Sequence, residues 1–361
     1  MSVRSYGVKA LTANVNSTTD KSPMSIHSQA FADWIKPPIE DAWFLTGPTA
    51  SGKSRVALEL ADRIDAEIIS VDSMAVYRGM DIGTAKPTTE QRALVPHHLI
   101  DLVEPTSDYS VSQFVTDAHA KAAEIRAKGK KVLLVGGTPL YIKTLFCGMF
   151  LGPPADWEFR AAVEADVAEY GIESLRKRLL QVDPLSAFKI LDGDVRRMTR
   201  ALEVAKITGR PLSHWQNQFE QVQMPASCKC FALAWDRAHL HERVNQRVDG
   251  MFQRGLLDEV KKLVDKFGTL GRTAAQAVGY KEPIEFLKGS VNEKQMVEQV
   301  KAHTRQFVRR QEIWFRSMPS IQRIPVATEL DLDRAASAIL ERIDGRLAFG
   351  SNLSVRSTPK V

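Results

Sequence analysis

The apolar run AWFLT, Ala42–Thr46, leads straight into GPTASGKS, Gly47–Ser54, and the segment KSRVALELADRI that follows carries Val56, Leu60 and Ile64 every fourth residue. Strand, loop and helix therefore succeed one another with G-x-x-x-x-G-K-S spacing, the pattern of a phosphate-binding loop. Gly47 and Gly52 let the backbone curl so that successive N–H groups face one concavity, and the helix N-terminus adds the positive end of its dipole. Lys53 then contacts the phosphates, and the Ser54 hydroxyl is a ligand for Mg²⁺. Such a loop reads phosphates only, so it leaves the rest of the ligand open.

Two more continuous, β-branched runs, AEIISVDS at Ala66–Ser73 and KVLLVGGT at Lys131–Thr138, have the character of strands buried on both faces of a parallel sheet. A fourth, KCFALAWD from Lys229, follows a long helical stretch that begins after GPPAD and is broken by VDP and TGRP. The expected fold is α/β: a P-loop NTPase-like parallel sheet flanked by helices, with a helical insertion domain. The expected boundaries are a disordered N-terminal extension over 1–40, a core over 41–153 and 227–345 that ends in RNA-binding helices, an insertion over 154–226, and a flexible tail over 346–361. The extension is Ser/Thr/Asn-rich with few apolar runs. No internal repeat is visible.

At 361 residues and 44% hydrophobic content the chain can bury a large core and carry a smaller one. Lys and Arg number 49 against 43 Asp and Glu, a modest excess that favours a polyanionic partner without demanding one. Cys147, Cys228 and Cys230 form neither a disulfide framework nor a C-x-x-C metal site, as expected of thiols in a reducing cytosol. The eight histidines show no metal spacing, and His97–His98 suits a loop or a strand entrance. No run approaches the roughly 18 apolar residues of a membrane span. A soluble, cytoplasmic, monomeric protein is expected.

Two further strand ends bear on chemistry. Asp72 closes the second run, at the carboxyl edge where ligands of open α/β sheets collect; it could equally cap the following helix through Ser73. Gly136, Gly137 and Thr138 end the third run, either for close approach of an anion or as an ordinary strand-to-helix turn.

In order along the chain, GPTASGKS, ISVDS with YRGMDIGTAKP, LVGGTPLY, RALEV, QAVGYKE and TRQFVRRQEIWFR resemble the bacterial tRNA dimethylallyltransferase family, over roughly three-quarters of the chain. The resemblance implies that the loop, Gly47, Pro48, Thr49, Ala50, Ser51, Gly52, Lys53 and Ser54, holds the diphosphate of dimethylallyl diphosphate, with Ser54 on Mg²⁺. The acceptor implied is N6 of the adenosine 3′ of the anticodon in tRNAs reading codons that begin with U. Asp72 matches the general base, Thr138 a phosphate-side hydroxyl and Arg247 the arginine that reaches the diphosphate. Contact with the tRNA anticodon arm is implied for Asp72, Ser73, Met74 and Ala75, for Arg196, Arg197, Met198, Thr199 and Arg200, and for Gln276, Ala277, Val278, Gly279, Tyr280 and Lys281. It is implied too for Arg309, Arg310, Gln311, Trp314 and Arg316, and Arg305 is expected to join them. Ala75 departs from a glutamine frequent in the family, which weakens any side-chain contact there.

The chemistry agrees with these residue types. Adenine N6 is a poor nucleophile, so a carboxylate must take its proton as the C–N bond forms. The departing diphosphate needs N–H donors, cationic side chains and a metal ion around its growing charge. On a helix over 300–316, Lys301, Arg305, Arg309 and Arg316 fall within about 80° of one another, opposite Val300, Phe307, Val308, Trp314 and Phe315. Rival readings are an adenylate isopentenyltransferase acting on free AMP, a P-loop small-molecule kinase, and a non-catalytic RNA-binding module. The first two leave the basic helices unexplained, and the third leaves the phosphate loop unexplained.

Overall fold

The computed structural model describes residues 35–220 and 224–344. Most of the expected N-terminal extension, and all of the expected tail over 346–361, lie outside the described residues. The strands are β1 (Ile35–Lys36), β2 (Ala42–Thr46), β3 (Ala66–Val71), β4 (His97–His98), β5 (Lys131–Gly136), β6 (Met149–Phe150), β7 (Lys229–Trp235) and β8 (Gln322–Val326). Six of them form one parallel sheet in the order β4-β3-β5-β2-β7-β8. The four runs picked from the sequence form its centre, and β2, the strand that feeds the phosphate loop, lies between β5 and β7.

Successive residues of a strand point to opposite faces, and here both faces are covered. Leu45, Ile68, Leu133 and Leu233 pack under the helices Lys53–Ile64 and Glu329–Ile343. Their neighbours Phe44, Ile69 and Leu134 face the helices Val111–Ala127, Pro139–Cys147 and Leu256–Phe267 on the other side. Each such side chain contributes roughly 1.5–3 kcal/mol of burial, which explains why the runs are continuous rather than alternating. The buried Glu67 of β3 is satisfied by His98 of β4, 2.6 Å away, and by Lys128. Those two partners outweigh desolvation and draw its pKa down. The sequence reading missed β8, whose Pro325 is tolerated because this is an edge strand.

Two boundaries differ from expectation. Residues 35–40, assigned to the extension, join the core: β1 pairs antiparallel with β6, and Ile39 is 1% exposed with its N–H donating to the Leu145 carbonyl. Pro37 and Pro38 hold this segment extended, which sends Ile39 inward instead of leaving it in solvent. The carboxyl-terminal basic helix runs over Glu293–Arg316, seven residues earlier than Val300, because Asn292 and Gln295 close a capping box at its start.

The stretch expected as an insertion folds as the helices Trp157–Tyr170, Ile172–Val182, Pro184–Lys189, Val195–Thr208 and Leu212–Glu220. Phe159, Val163, Leu175, Leu179, Met198 and Leu202 give it an apolar cluster of its own. It is rooted on β6, where Phe150 stacks face to face on Trp215 at 4.6 Å.

Candidate active site

Backbone conformation shapes the loop. Ala50 and Gly52 both take left-handed conformations, φ +63° and +87°, and curl the chain back before the helix starts at Lys53. The Lys53 ammonium donates to the Pro48 carbonyl at 2.9 Å, spanning the concavity. Burial and the nearby Arg247 guanidinium push the Lys53 pKa down to about 7, against the opposing pull of Asp72. Arg247, on the helix Arg237–Gln253, is itself drawn down by burial while Asp72 pulls it up. Two cations thus face one carboxylate across a half-buried space.

Asp72 follows the last residue of β3, and its Oδ1 accepts the N–H groups of Met74 at 2.8 Å and Ala75 at 3.3 Å. It caps a turn rather than the following helix, since residues 73–80 form no helix, and it lines the cleft. The Thr138 hydroxyl accepts the Ser73 N–H at 3.2 Å, which ties the end of β5 to the Asp72 turn. Gly136 is required here, because a Cβ would lie 2.1 Å from the Val71 carbonyl oxygen.

Around this centre opens a cleft of about 1900 Å³, lined by Thr49, Lys53 and Ser54 of the loop and by Arg196, Thr199 and Arg200 of the insertion. Small-molecule sites hold roughly 300–1,000 Å³, so the volume suits part of a macromolecule beside a small ligand.

The residues expected to meet RNA separate into two groups. Ser73, Met74, Arg196, Thr199, Arg200, Gln276, Ala277, Val278, Gly279, Tyr280 and Arg310 line the cleft. Arg197, Lys281, Arg305, Arg309, Trp314 and Arg316 lie outside its lining, and Met198 is buried in the insertion's cluster. Ala75 also lines the cleft, but its side chain is buried. Tyr280 is a strut: its hydroxyl donates to Glu259 at 2.7 Å, and Glu259 accepts the N–H groups of Asp81 and Ile82, holding the YRGMDIG turn. Arg200 is tied to the buried Glu203 and to the Pro153 carbonyl.

On the long helix the simple two-sided pattern fails. Lys301 bonds Asp249 at 2.7 Å and Arg305 bonds Asn245 at 2.7 Å, both on the helix Arg237–Gln253, so half of the basic stripe serves protein packing. Trp314, expected on the packed face, is 37% exposed, and Phe307 lines the cleft. Gln311, expected to meet RNA, is buried and bridges Thr49 and Gly137. The buried stripe keeps the expected Val300, Val308 and Phe315 and adds Met296 and Gln311.

The family model described as IPP transferase matches residues 75–318. The chain belongs to the IPP transferase family. A tRNA dimethylallyltransferase of Rhodopirellula baltica is 46% identical over 327 residues, covering 88% of this chain and 97% of that protein. One of Geobacter sulfurreducens is 40% identical, covering 80% and 92%. Among solved structures, the full-length tRNA isopentenylpyrophosphate transferase from Bacillus halodurans is 37% identical with TM-score 0.64, covering 85% of this chain and 97% of that one. A eukaryotic dimethylallyltransferase acting on tRNA superimposes with TM-score 0.70 at 26% identity, covering 84% and 78%.

Within this IPP transferase fold, sequence reasoning passed over Arg272 and Thr273, which line the cleft beside Gln276. It also passed over Trp157, an exposed indole on the cleft wall with the Arg160 guanidinium 5.0 Å over its ring. Nothing in the spacing of these residues distinguishes them from ordinary helix-start residues. No helix among the described residues is long and apolar enough to cross a membrane.

Proposed function

We propose that this protein transfers the dimethylallyl group of dimethylallyl diphosphate to N6 of the adenosine 3′ of the anticodon in tRNAs reading codons that begin with U. The observation that carries this reading is that one cleft is lined together by the phosphate-loop residues Thr49, Lys53 and Ser54, by Asp72 and Arg247, and by Arg196 and Arg200 of the insertion. The loop N–H groups, Lys53 and Arg247 hold the diphosphate; Asp72 accepts the N6 proton; Thr138 orients the Asp72 turn. The N6–C bond forms as the allylic C–O bond breaks, and the electron pair of that bond leaves with the diphosphate. A base reaching this centre must leave its stack, at a cost of a few kcal/mol that is least in a loop.

The donor set fits Mg²⁺. Among the described residues no group of three His, Cys, Asp or Glu side chains could hold a metal ion, whereas the Ser54 hydroxyl lines the same cleft as Asp72. Mg²⁺ keeps several waters and takes substrate phosphate oxygens with one or two protein oxygens, so Ser54 would hold it against the diphosphate. Bound there, it would supply further neutralisation of the leaving group's charge.

The decisive test is incubation with labelled dimethylallyl diphosphate and, separately, tRNA and AMP. Label is expected in tRNA alone and at the base next to the anticodon; incorporation into AMP would replace this reading with the adenylate one, and phosphorylation of small acceptors from ATP would replace it with a kinase.

For RNA grip, Arg309 and Arg310 are exposed while Arg305 and Lys301 are spent on protein partners. Replacing Arg309 and Arg310 together with Gln is expected to reduce the slope of log affinity for tRNA against log salt by about one to two, at roughly 0.7–0.9 per phosphate contact. Arg305→Gln should change it by less than one. An unchanged slope in the double variant would remove this helix from the RNA surface.

A further inference from the structure

Gln311 belongs to the helix that carries Arg309, Arg310 and Trp314, yet it is 2% exposed and both ends of its carboxamide are spent on the phosphate side of the cleft. Its Oε1 accepts the Thr49 N–H at 2.9 Å, and its Nε2 donates to the Gly137 carbonyl at 2.6 Å. A Cβ built at Gly137 would lie 2.6 Å from that Nε2, 3.1 Å from the Gly47 carbonyl oxygen and 3.6 Å from the Lys53 amine. The carboxamide, the loop backbone and the loop lysine therefore crowd round one spot, and Gly137 has no side chain because Gln311 fills its place.

In a phosphate loop the N–H groups at the helix start hold one phosphoryl group, and further N–H groups of the loop answer an adjoining one. Thr49 lies in the first half of the loop. Its N–H is already answered by a neutral oxygen where an anionic oxygen would otherwise sit. A phosphoryl group entering there would meet the lone pairs of Oε1 and would displace it from the Thr49 N–H, leaving a buried carboxamide oxygen without a partner.

We propose that Gln311 selects ligand length: its carboxamide closes the Thr49 side of the loop, so that a diphosphate fits and a triphosphate does not. This rests on reading the loop as the dimethylallyl diphosphate site, and it gives a physical reason why a loop with the spacing of an ATP-binding motif excludes ATP.

The test uses the full chain in Mg²⁺ and compares its affinities for inorganic diphosphate, inorganic tripolyphosphate, dimethylallyl diphosphate and ATP. The unaltered protein is expected to prefer diphosphate over tripolyphosphate by tenfold or more. In Gln311→Ala that preference should shrink at least tenfold, chiefly because tripolyphosphate binds more tightly. A purely structural role for the residue would weaken both ligands alike and leave their ratio unmoved. Gln311→Asn keeps a polar head too short to span Thr49 and Gly137, and the same ratio is read from it should the alanine variant fail to fold. A ratio within twofold of the unaltered protein in a folded variant overturns the proposal. If the unaltered protein binds ATP more tightly than dimethylallyl diphosphate, or if Lys53→Ala leaves dimethylallyl diphosphate affinity unchanged, the reading of the loop itself fails, whatever the ratio.

Discussion

Asp72→Asn is expected to lower the turnover number for tRNA by about 10²- to 10⁴-fold, roughly 2.7–5.4 kcal/mol of transition-state stabilisation, with the affinities for tRNA and donor little changed. Asparagine is the informative substitution because it separates the observed cap from the proposed base role of Asp72. Its Oδ1 accepts the N–H groups of Met74 and Ala75, and an asparagine oxygen can keep both hydrogen bonds. What asparagine cannot do is take a proton from N6 as the C–N bond forms. Asp72→Ala would lose the cap as well, destabilising the protein by about 1 kcal/mol and confusing the origin of the effect. Single-turnover transfer of labelled dimethylallyl group, with binding measured separately, checks the split. A variant within a few-fold of the unaltered rate would take the base role away from Asp72.

Lys53→Ala is expected to cost about 10²- to 10³-fold in turnover, the usual effect of removing one positioned donor from a developing anion, and to weaken donor binding as well. The pH dependence identifies the charge. In the free protein the Lys53 pKa is pushed down to about 7 by burial and by Arg247. A bound diphosphate stabilises the protonated amine, so above pH 7 binding must take up a proton. A phosphate monoester has its last ionisation near pH 6, so the ligand's own charge is nearly constant there. Donor affinity should therefore fall as pH rises from about 7 to 9, by up to tenfold per unit, and Lys53→Ala should flatten that fall. Calorimetry in buffers of different ionisation enthalpy would count the proton. An affinity that rises with pH over this range would contradict the assignment.

These effects centre on residues that could be named before the structure was known, because their signals are local. GPTASGKS between an apolar run and an amphipathic helix needs only its own neighbours to be recognised, as do the continuous runs at β3, β5 and β7. Asp72 and Thr138 were legible because both stand at strand ends, and parallel strands bring their carboxyl ends to one edge. The Lys and Arg of the long helix were legible as a stripe, but what the stripe does was not.

The sequence by itself determined the α/β class, the phosphate loop, the central strands and the carboxylate beside them, since periodicity and loop spacing act over a few residues. Only the tertiary structure decided which side chains are spent on the protein and which remain for a ligand. Thr49 and Gln311 meet across 262 positions, and Arg305 and Asn245 across 60. Tyr280, expected to meet RNA, lines the cleft, but its hydroxyl is held by Glu259. Whether a polar group is free depends on partners that chain folding brings to it from any distance, and desolvation makes buried polar groups find such partners. The residue pattern along one helix carries no record of them.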